Sequence, residues 1–191
     1  MESFITDKVC MVTGGGGSIG GEIVRALSRM GAARIVAVDI SENGLYDVIT
    51  DISGITAEIA STRDESKMEY LMSKYRPNIV FHAAAHKHVP FMETNPEEAV
   101  KNNIHGTQIT ADLAEKYGVP LFDFNLLRSR YELFSDETSF SDDSHLSREG
   151  AEVFAAVMAD ILSRYRAGED VSPLFNSSYQ EVIHDSVYWG R

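Results

Sequence analysis

The stretch VCMVTGGGGSIG at residues 9–20 joins an apolar run to a glycine-rich turn and then to the start of a helical pattern. Gly14, Gly17 and Gly20 follow the run at three-residue spacing, and the helical pattern opens at Ser18. Glycine has no Cβ, so its backbone N–H groups can approach a phosphate closely. The stretch therefore predicts a phosphate-binding turn between a buried strand and a helix, although an isolated glycine pattern would also fit an ordinary turn.

A second apolar run, over residues 34–38, ends in Asp39. A carboxylate at this place accepts hydrogen bonds from the 2′ and 3′ hydroxyls of a ribose. It favours NAD, because the 2′-phosphate of NADP would meet its negative charge, while nearby polar groups such as Ser41 leave NADP open. Glycine turn, helix, strand and terminal acid together predict dinucleotide binding.

Strand-like and helix-like segments alternate from residue 8 to residue 118. This order predicts an α/β fold, a doubly wound parallel sheet with right-handed crossovers. Gly31 and Gly118 follow two of the helices as C-terminal caps should. The predicted strands are Lys8–Thr13, Arg34–Asp39, Ala57–Ala60 and Asn78–Ala84, and the predicted helices are Ser18–Met30, Glu42–Ile52, Asp64–Tyr75 and Pro96–Tyr117.

The character of the chain changes after Gly118. Residues 119–124 predict a fifth strand, residues 125–144 are polar and acidic, and residues 146–165 have the pattern of an amphipathic helix. We expect this helix to close the sheet with an apolar face of Val153, Phe154, Val157, Ile161 and Leu162. Residues 1–120 are thus expected to form the dinucleotide-binding domain, and residues 121–191 a C-terminal extension.

The net charge of −12 argues against a nucleic-acid partner, because the surface repels polyanions. The single cysteine, Cys10, has no partner for an internal disulfide and fits a reducing compartment. Neither a signal peptide nor a membrane span is expected from the apolar runs. We therefore expect a cytoplasmic protein, and leave a homo-oligomer open.

Residues 8–118 resemble the nucleoside-diphosphate-sugar dehydratases of the extended short-chain dehydrogenase/reductase superfamily, whose cofactor domain is Rossmann-like. Within it they are most similar to the CapD-like polysaccharide biosynthesis proteins, which include UDP-N-acetylglucosamine 4,6-dehydratases. The motifs are VTGGGGSIGGEIVRAL at 12–27, VDISENGLYD at 38–47, YRPNIVFHAAAHKHVPFME at 75–93 and NPEEAVKNNIHGT at 95–107. Of these, HAAAHKHVP is the most specific.

The resemblance implies an NAD(P) site. The pyrophosphate would be held by Gly14, Gly17, Ser18, Ile19 and Gly20, and the adenosine by Asp39 and Ile40. The family's aspartate for the adenine amine is replaced by Ser61 or Thr62. The remaining expected contacts are Ala83, Ala84 and Ala85 beside the fourth strand, Lys87 near phosphate or sugar, and the structural asparagine Asn103. Three small residues also fit a simpler interpretation, tight helix–sheet packing.

The resemblance implies oxidation of a UDP-amino sugar at C4, loss of water across C5–C6 and return of hydride to C6. The catalytic tyrosine segment of the family has no counterpart after Val119, and we interpret the Tyr70/Lys74 spacing as coincidence. The chain is therefore expected to be catalytically incomplete. His82, His86 and His88 are interpreted as structural or substrate-loop residues, and no metal is expected.

Residues 121–165 resemble the C-terminal end of SGNH/GDSL hydrolases through LFDFNLL at 121–127 and FSDDSHLSREGAEVFAAVMADIL at 140–162. That resemblance implies Asp142 and His145 as two members of a catalytic triad, although the nucleophile segment is lacking. The alternative is that Asp143 or Ser144 caps the last helix. A hydrolase fragment and a non-catalytic interaction module thus stay as alternative functions. Candidates for chemistry are Asp142, His145 and Lys87.

Overall fold

Residues 4–120, 122 and 147–175 are described in the computed structural model of the chain. The backbone divides into two compact units, Met1–Leu121 and Phe122–Arg191. The assignment of a cofactor domain to residues 1–120 and of an extension to residues 121–191 remains a prediction.

Four parallel strands form one sheet in the described part of the first unit: β1 (Val9–Thr13), β2 (Arg34–Asp39), β3 (Ile55–Ile59) and β4 (Ile79–His82). Their spatial order is β3-β2-β1-β4. At the carboxyl end of β1, Thr13 lies opposite Val38 on one side and opposite His82 on the other. The predicted parallel sheet is confirmed, and its topological switch point lies between β1 and β4, where open α/β sheets bind ligands.

The helices of this unit are α1 (Ser18–Arg29), α2 (Glu42–Asp51), α3 (Glu65–Tyr75), α4 (Val89–Thr94), α5 (Pro96–Ala99), a π-helical segment (Val100–His105) and α6 (Gly106–Lys116). They cover both faces of the sheet. Successive side chains of β1 point to opposite faces, and those on each face pack against a different helix. Val12 belongs to a buried cluster that includes Val24 of α1, and Met11 to one that includes Leu71 of α3. This is the three-layer arrangement of a doubly wound fold.

The helix ends follow the capping residues in the sequence. Ser41 accepts a hydrogen bond from the Gly44 amide at the start of α2, and Asp64 accepts one from the Lys67 amide at the start of α3. Gly31 has φ +76° and Gly118 has φ +71°, left-handed values that favour glycine. Both predicted C-terminal caps are therefore confirmed.

The predicted helix Pro96–Tyr117 is confirmed as a continuous helical stretch, although its middle part is π-helical rather than α-helical. Pro90 in the first turn starts the unpredicted α4, and the helical geometry breaks at Asn95, because a residue before proline is disfavoured in the helical region. The π-helical segment then separates α5 from α6. It contains Asn102, which is buried, and Asn103, which bonds a distant loop.

The described part of the second unit consists of α7 (Arg148–Arg166) and a short 3-10 turn (Ser172–Leu174). Ser147 caps α7 by accepting a hydrogen bond from the Gly150 amide, so the expectation of a cap at Asp143 or Ser144 is wrong. Ile161 is fully buried in a cluster with Val171, Leu174 and the partly buried Phe122, Phe154, Val157 and Phe175.

Two further expectations concern this region. Val153 is 45% exposed and does not belong to the cluster around Ile161, so its assignment to the buried face of α7 is wrong. Val119, Pro120 and Phe122 are not in a strand, and the other three residues of the predicted fifth strand lie outside the described residues. Closure of the sheet by α7 remains a prediction. In the described segments, no helix combines the length and apolarity that a membrane span requires.

Candidate cofactor site

The glycine turn after β1 lies directly against the chain that leaves β4. Gly14 has φ +69°, and a Cβ built on it would stand 2.6 Å from the Ala83 carbonyl oxygen and 2.8 Å from the Ala84 nitrogen. The turn closes through a hydrogen bond of 3.0 Å from the Gly17 amide to the Gly14 carbonyl oxygen. Glycine is therefore required at position 14 both for its backbone conformation and for room.

Two other glycines let α1 and α2 pack onto the turn. A Cβ on Gly20 would lie 1.9 Å from the Gly14 carbonyl oxygen, and one on Gly44 would lie 2.4 Å from the Gly16 carbonyl oxygen. Such distances exclude any side chain unless the backbone moves. These glycines are needed for the fold itself, whether or not a ligand binds.

Gly17 differs from them because a Cβ there would meet a single atom, in a contact that is tight but not prohibitive. Apart from the residues next to it in the chain, a Cβ there would meet only the Gly14 carbonyl oxygen, at 3.2 Å. Gly17 is also the N-cap of α1, and no side chain caps the amides of the first turn. The first amides of a helix need an outside acceptor and attract anions. A phosphate at this place would find donors and free room together.

Asp39 extends the site at the end of β2. Its Oδ2 accepts a hydrogen bond from the Gly16 amide, and its Oδ1 accepts one from the Ser41 amide, both at 2.9 Å. Each carboxylate oxygen keeps a second lone pair that can accept from a hydroxyl group. Ile40 is 58% exposed and supplies an apolar surface beside the carboxylate.

The loop after β4 is held by the π-helical segment. The Asn103 side-chain amide donates to the His86 carbonyl oxygen and accepts from the His86 amide, each at 2.8 Å. This paired bond fixes the chain just after Ala83–Ala85. Asn103 thus positions the loop rather than facing open space, in keeping with the structural asparagine that the resemblance implied.

His82 connects three elements at the carboxyl edge of the sheet. Its Nδ1 lies 2.7 Å from the Thr13 hydroxyl oxygen, and its Nε2 lies 2.9 Å from the Thr107 hydroxyl oxygen. Burial lowers the pKa of the imidazole, which keeps it neutral near pH 7. Thr13 and Thr107 were missed as site residues in the sequence, because no spacing rule links threonines so far apart in the chain.

The two residues expected near adenine have different surroundings. Ser61 is partly exposed, and its hydroxyl oxygen accepts a hydrogen bond of 3.2 Å from the Arg63 amide. Thr62 is only 5% exposed and stands so close to α6 that a Cβ on Gly106 would lie 2.6 Å from its hydroxyl oxygen. Ser61 is therefore the more accessible of the two.

The candidate catalytic residues do not come together as a catalytic group in the described residues. Lys87 lies exposed in the loop before α4, and Asp142 and His145 lie outside the described residues. Lys74 bonds Glu58 of β3, with its Nζ 2.8 Å from Oε1, and its ammonium group lies 5.4 Å from the centre of the Tyr70 ring. Within the described ranges, no three His, Cys, Asp or Glu side chains are grouped as metal ligands.

Comparison with known proteins gives a consistent picture for the first unit. The model of the family described as polysaccharide biosynthesis protein matches residues 10–123. The probable polysaccharide biosynthesis protein EpsC of Bacillus subtilis (strain 168) is 46% identical over 125 residues, which are 62% of this chain and 21% of EpsC. The capsular polysaccharide biosynthesis protein CapD of Staphylococcus aureus is 40% identical over 125 residues, with the same coverage of 62% and 21%.

A solved structure also resembles the first unit of this chain. The Bordetella bronchiseptica enzyme WbmH in complex with NAD+ superposes with a TM-score of 0.51 at 26% identity, over 59% of this chain and 36% of that one. The chain spans about a fifth of the length of the two curated relatives, 21% in each case. The likeness therefore concerns the first unit and a limited part of each longer protein.

Proposed function

Since the chain belongs to the polysaccharide biosynthesis protein family, we propose that its first unit binds NAD and serves a nucleotide-sugar dehydratase- or epimerase-type protein. The observation that carries the proposal is the glycine turn that ends at Gly17, the N-cap of α1, where no side chain caps the first-turn amides. Packing gives only a weak reason for glycine there, a single tight contact with the Gly14 carbonyl oxygen. A pyrophosphate gives a stronger one, because it needs the same space and the same amides.

In this proposal the carboxyl edge of the sheet holds the dinucleotide. The first-turn amides of Ser18 and Ile19 hold the pyrophosphate, and Asp39 accepts hydrogen bonds from the adenosine ribose. Ile40 and Ser61 flank the adenine, while Ala83–Ala85 lie along the cofactor. Bound NAD supplies a hydride acceptor and donor, which this family of reactions requires. WbmH, whose structure contains NAD+, supports the choice of cofactor.

Asp39 favours NAD over NADP in the same proposal. Its two oxygens are already turned toward backbone amides at the rim of the site. A 2′-phosphate would bring a second negative charge next to this carboxylate, whereas a 2′-hydroxyl would donate to it.

A UDP-sugar is the proposed substrate class of the longer proteins to which this chain is similar. For the chain itself we propose binding of the cofactor without dehydratase turnover, because its sequence lacks the Tyr/Lys acid–base segment after β4 that draws a proton from the sugar hydroxyl. A cytoplasmic setting belongs to the proposal, since the lone Cys10 is fully buried and reduced.

Fluorescence titration with NADH tests the cofactor claim, with NAD+ as the competitor. We expect saturable binding that NAD+ reverses. A second assay, with UDP-N-acetylglucosamine and NAD+, should yield no 4-keto-6-deoxy product. Absence of NADH binding by the folded chain would refute the cofactor claim, and turnover would refute the claim of incompleteness while directing attention to Lys87.

A further inference from the structure

The hydrogen bonds around His82 determine which ring nitrogen carries the proton. The Thr107 hydroxyl has one hydrogen, and it donates this to the Asn103 carbonyl oxygen at 2.7 Å. Toward His82 it can therefore only accept, so Nε2 of the imidazole must be the donor at 2.9 Å. In a neutral ring Nδ1 is then the acceptor, and the fully buried Thr13 hydroxyl donates to it at 2.7 Å.

This chain of bonds joins the two sides of the proposed cofactor site. Thr13 is the residue immediately before the glycine turn, and His82 is the residue immediately before Ala83–Ala85. A backbone bond of 3.0 Å from the Ala83 amide to the Thr13 carbonyl oxygen runs parallel to the side-chain link. Thr107 adds α6 as the third fixed point. The close approach of Ala83 to Gly14 thus depends on the hydrogen-bonded side chains of Thr13, His82 and Thr107.

We propose that His82, in its neutral Nε2–H form, is a positioning residue that sets the spacing between the glycine turn and Ala83–Ala85, and through it the affinity for the dinucleotide. The inference rests on the proposed function, since it concerns the same site. His82 is not a catalytic residue in it, because both ring nitrogens are used by threonine hydroxyls and none is left to exchange a proton with a substrate.

The test separates the hydroxyl of Thr107 from its bulk. Thr107→Val keeps the shape but removes the acceptor of the His82 proton, whereas Thr107→Ser keeps the hydroxyl. Thr110→Val is the matched control, because the Thr110 hydroxyl donates only along its own helix, to the Gly106 carbonyl oxygen at 2.9 Å. We expect the dissociation constant for NADH to rise about fivefold to tenfold in Thr107→Val and to change less than about twofold in the other two variants.

A spectroscopic readout tests the same link without ligand. Nitrogen-15 labelling of histidine, with long-range proton–nitrogen correlation, reports which ring nitrogen carries the proton. We expect Nε2–H in the wild type, in Thr107→Ser and in Thr110→Val. A proton on Nδ1 in the wild type, or an unchanged NADH affinity in Thr107→Val, would overturn the inference. A wild type that keeps the Nε2–H signature but binds no NADH would instead refute the proposed function, and the claim about affinity with it.

Discussion

The Asp39 carboxylate accepts a hydrogen bond from the Gly16 amide, with Oδ2 and the nitrogen 2.9 Å apart. One residue thus serves the strand end and the glycine turn together, because its other oxygen accepts from the Ser41 amide at the start of α2. The acid expected to bind a ribose also shapes the turn expected to bind the pyrophosphate. The proposed function therefore predicts that cofactor binding and local stability are coupled at Asp39.

Replacing Asp39 with asparagine should reduce both cofactor binding and the stability of the fold. The asparagine side chain would offer a single acceptor oxygen in place of two, so one of the amides of Gly16 and Ser41 loses its partner. Loss of a charge-assisted bond of this kind costs about 1–2 kcal/mol. We expect the free energy of unfolding, measured by urea titration, to fall by that amount, and NADH binding to weaken.

Asp112→Asn is the control for this change, since Asp112 lies exposed on α6. It removes the same charge from the chain without touching the turn. If Asp39→Asn were as stable as Asp112→Asn and bound NADH equally well, the hydrogen bond between Asp39 and Gly16 would contribute neither to stability nor to binding.

Cofactor preference is the second consequence of Asp39. We expect NAD+ to bind more tightly than NADP+ in paired titrations at one ionic strength, because the 2′-phosphate meets the carboxylate. The difference should be on the order of 1 kcal/mol or more and should shrink in Asp39→Asn. Equal affinities in the wild type would remove Asp39 from the ribose site.

Stability in acid should depend on Glu58. Burial by itself would raise the pKa of this carboxyl, but hydrogen bonds from Lys74, Tyr75 and Lys67 outweigh it and lower the pKa from 4.5 to about 2. A carboxyl whose pKa is lower in the folded state stabilises the fold above its unfolded pKa. The stabilisation is lost as the pH falls from about 4.5 through about 2.

Glu58→Gln makes this measurable. We expect it to lower the free energy of unfolding by about 1–2 kcal/mol at pH 7, with the difference from the wild type vanishing near pH 2. Glu69→Gln, which breaks the more exposed pair with Lys116, should cost less than about 0.5 kcal/mol. A constant difference between Glu58→Gln and the wild type from pH 7 to pH 2 would contradict the role of the Glu58 charge.

The second unit should depend on Ile161. This side chain is fully buried, so Ile161→Ala should lower the stability of α7 by about 2–5 kcal/mol, as followed by circular dichroism during urea unfolding. Val153→Ala is the matched control on the same helix and should change little, because Val153 is 45% exposed. Equal effects of the two substitutions would mean that the assigned buried face is wrong.

The sequence predicted the elements whose signals are local. The bounds of β2 follow from the apolar run that ends in Asp39 and agree with the structure, as do the glycine caps at Gly31 and Gly118. The glycine turn after β1 could likewise be placed from its glycine spacing. These features depend on neighbouring residues and on backbone conformation, which a single sequence displays.

The features of the fold and the site that the sequence did not predict depend on contacts between segments that are far apart in the chain. The π-helical segment between α5 and α6 contains Asn103 and its bonds to His86, which no sequence pattern near residue 100 indicates. The link of Thr13, His82 and Thr107 exists only once β1, β4 and α6 are assembled. For the same reason, the sequence indicated a ribose contact for Asp39 but not its bond to Gly16.

The most direct test of the dinucleotide site compares Gly17→Ala with Gly21→Ala in NADH titrations. A Cβ on Gly17 would lie at the N-cap of α1, 3.2 Å from the Gly14 carbonyl oxygen, while one on Gly21 would meet Val48 at 3.3 Å in the core. We predict that Gly17→Ala retains the circular dichroism spectrum of the wild type, with a urea midpoint lowered no more than that of Gly21→Ala, but binds NADH at least about tenfold more weakly, whereas Gly21→Ala binds it normally. A well-folded Gly17→Ala protein with the NADH affinity of the wild type would contradict the account.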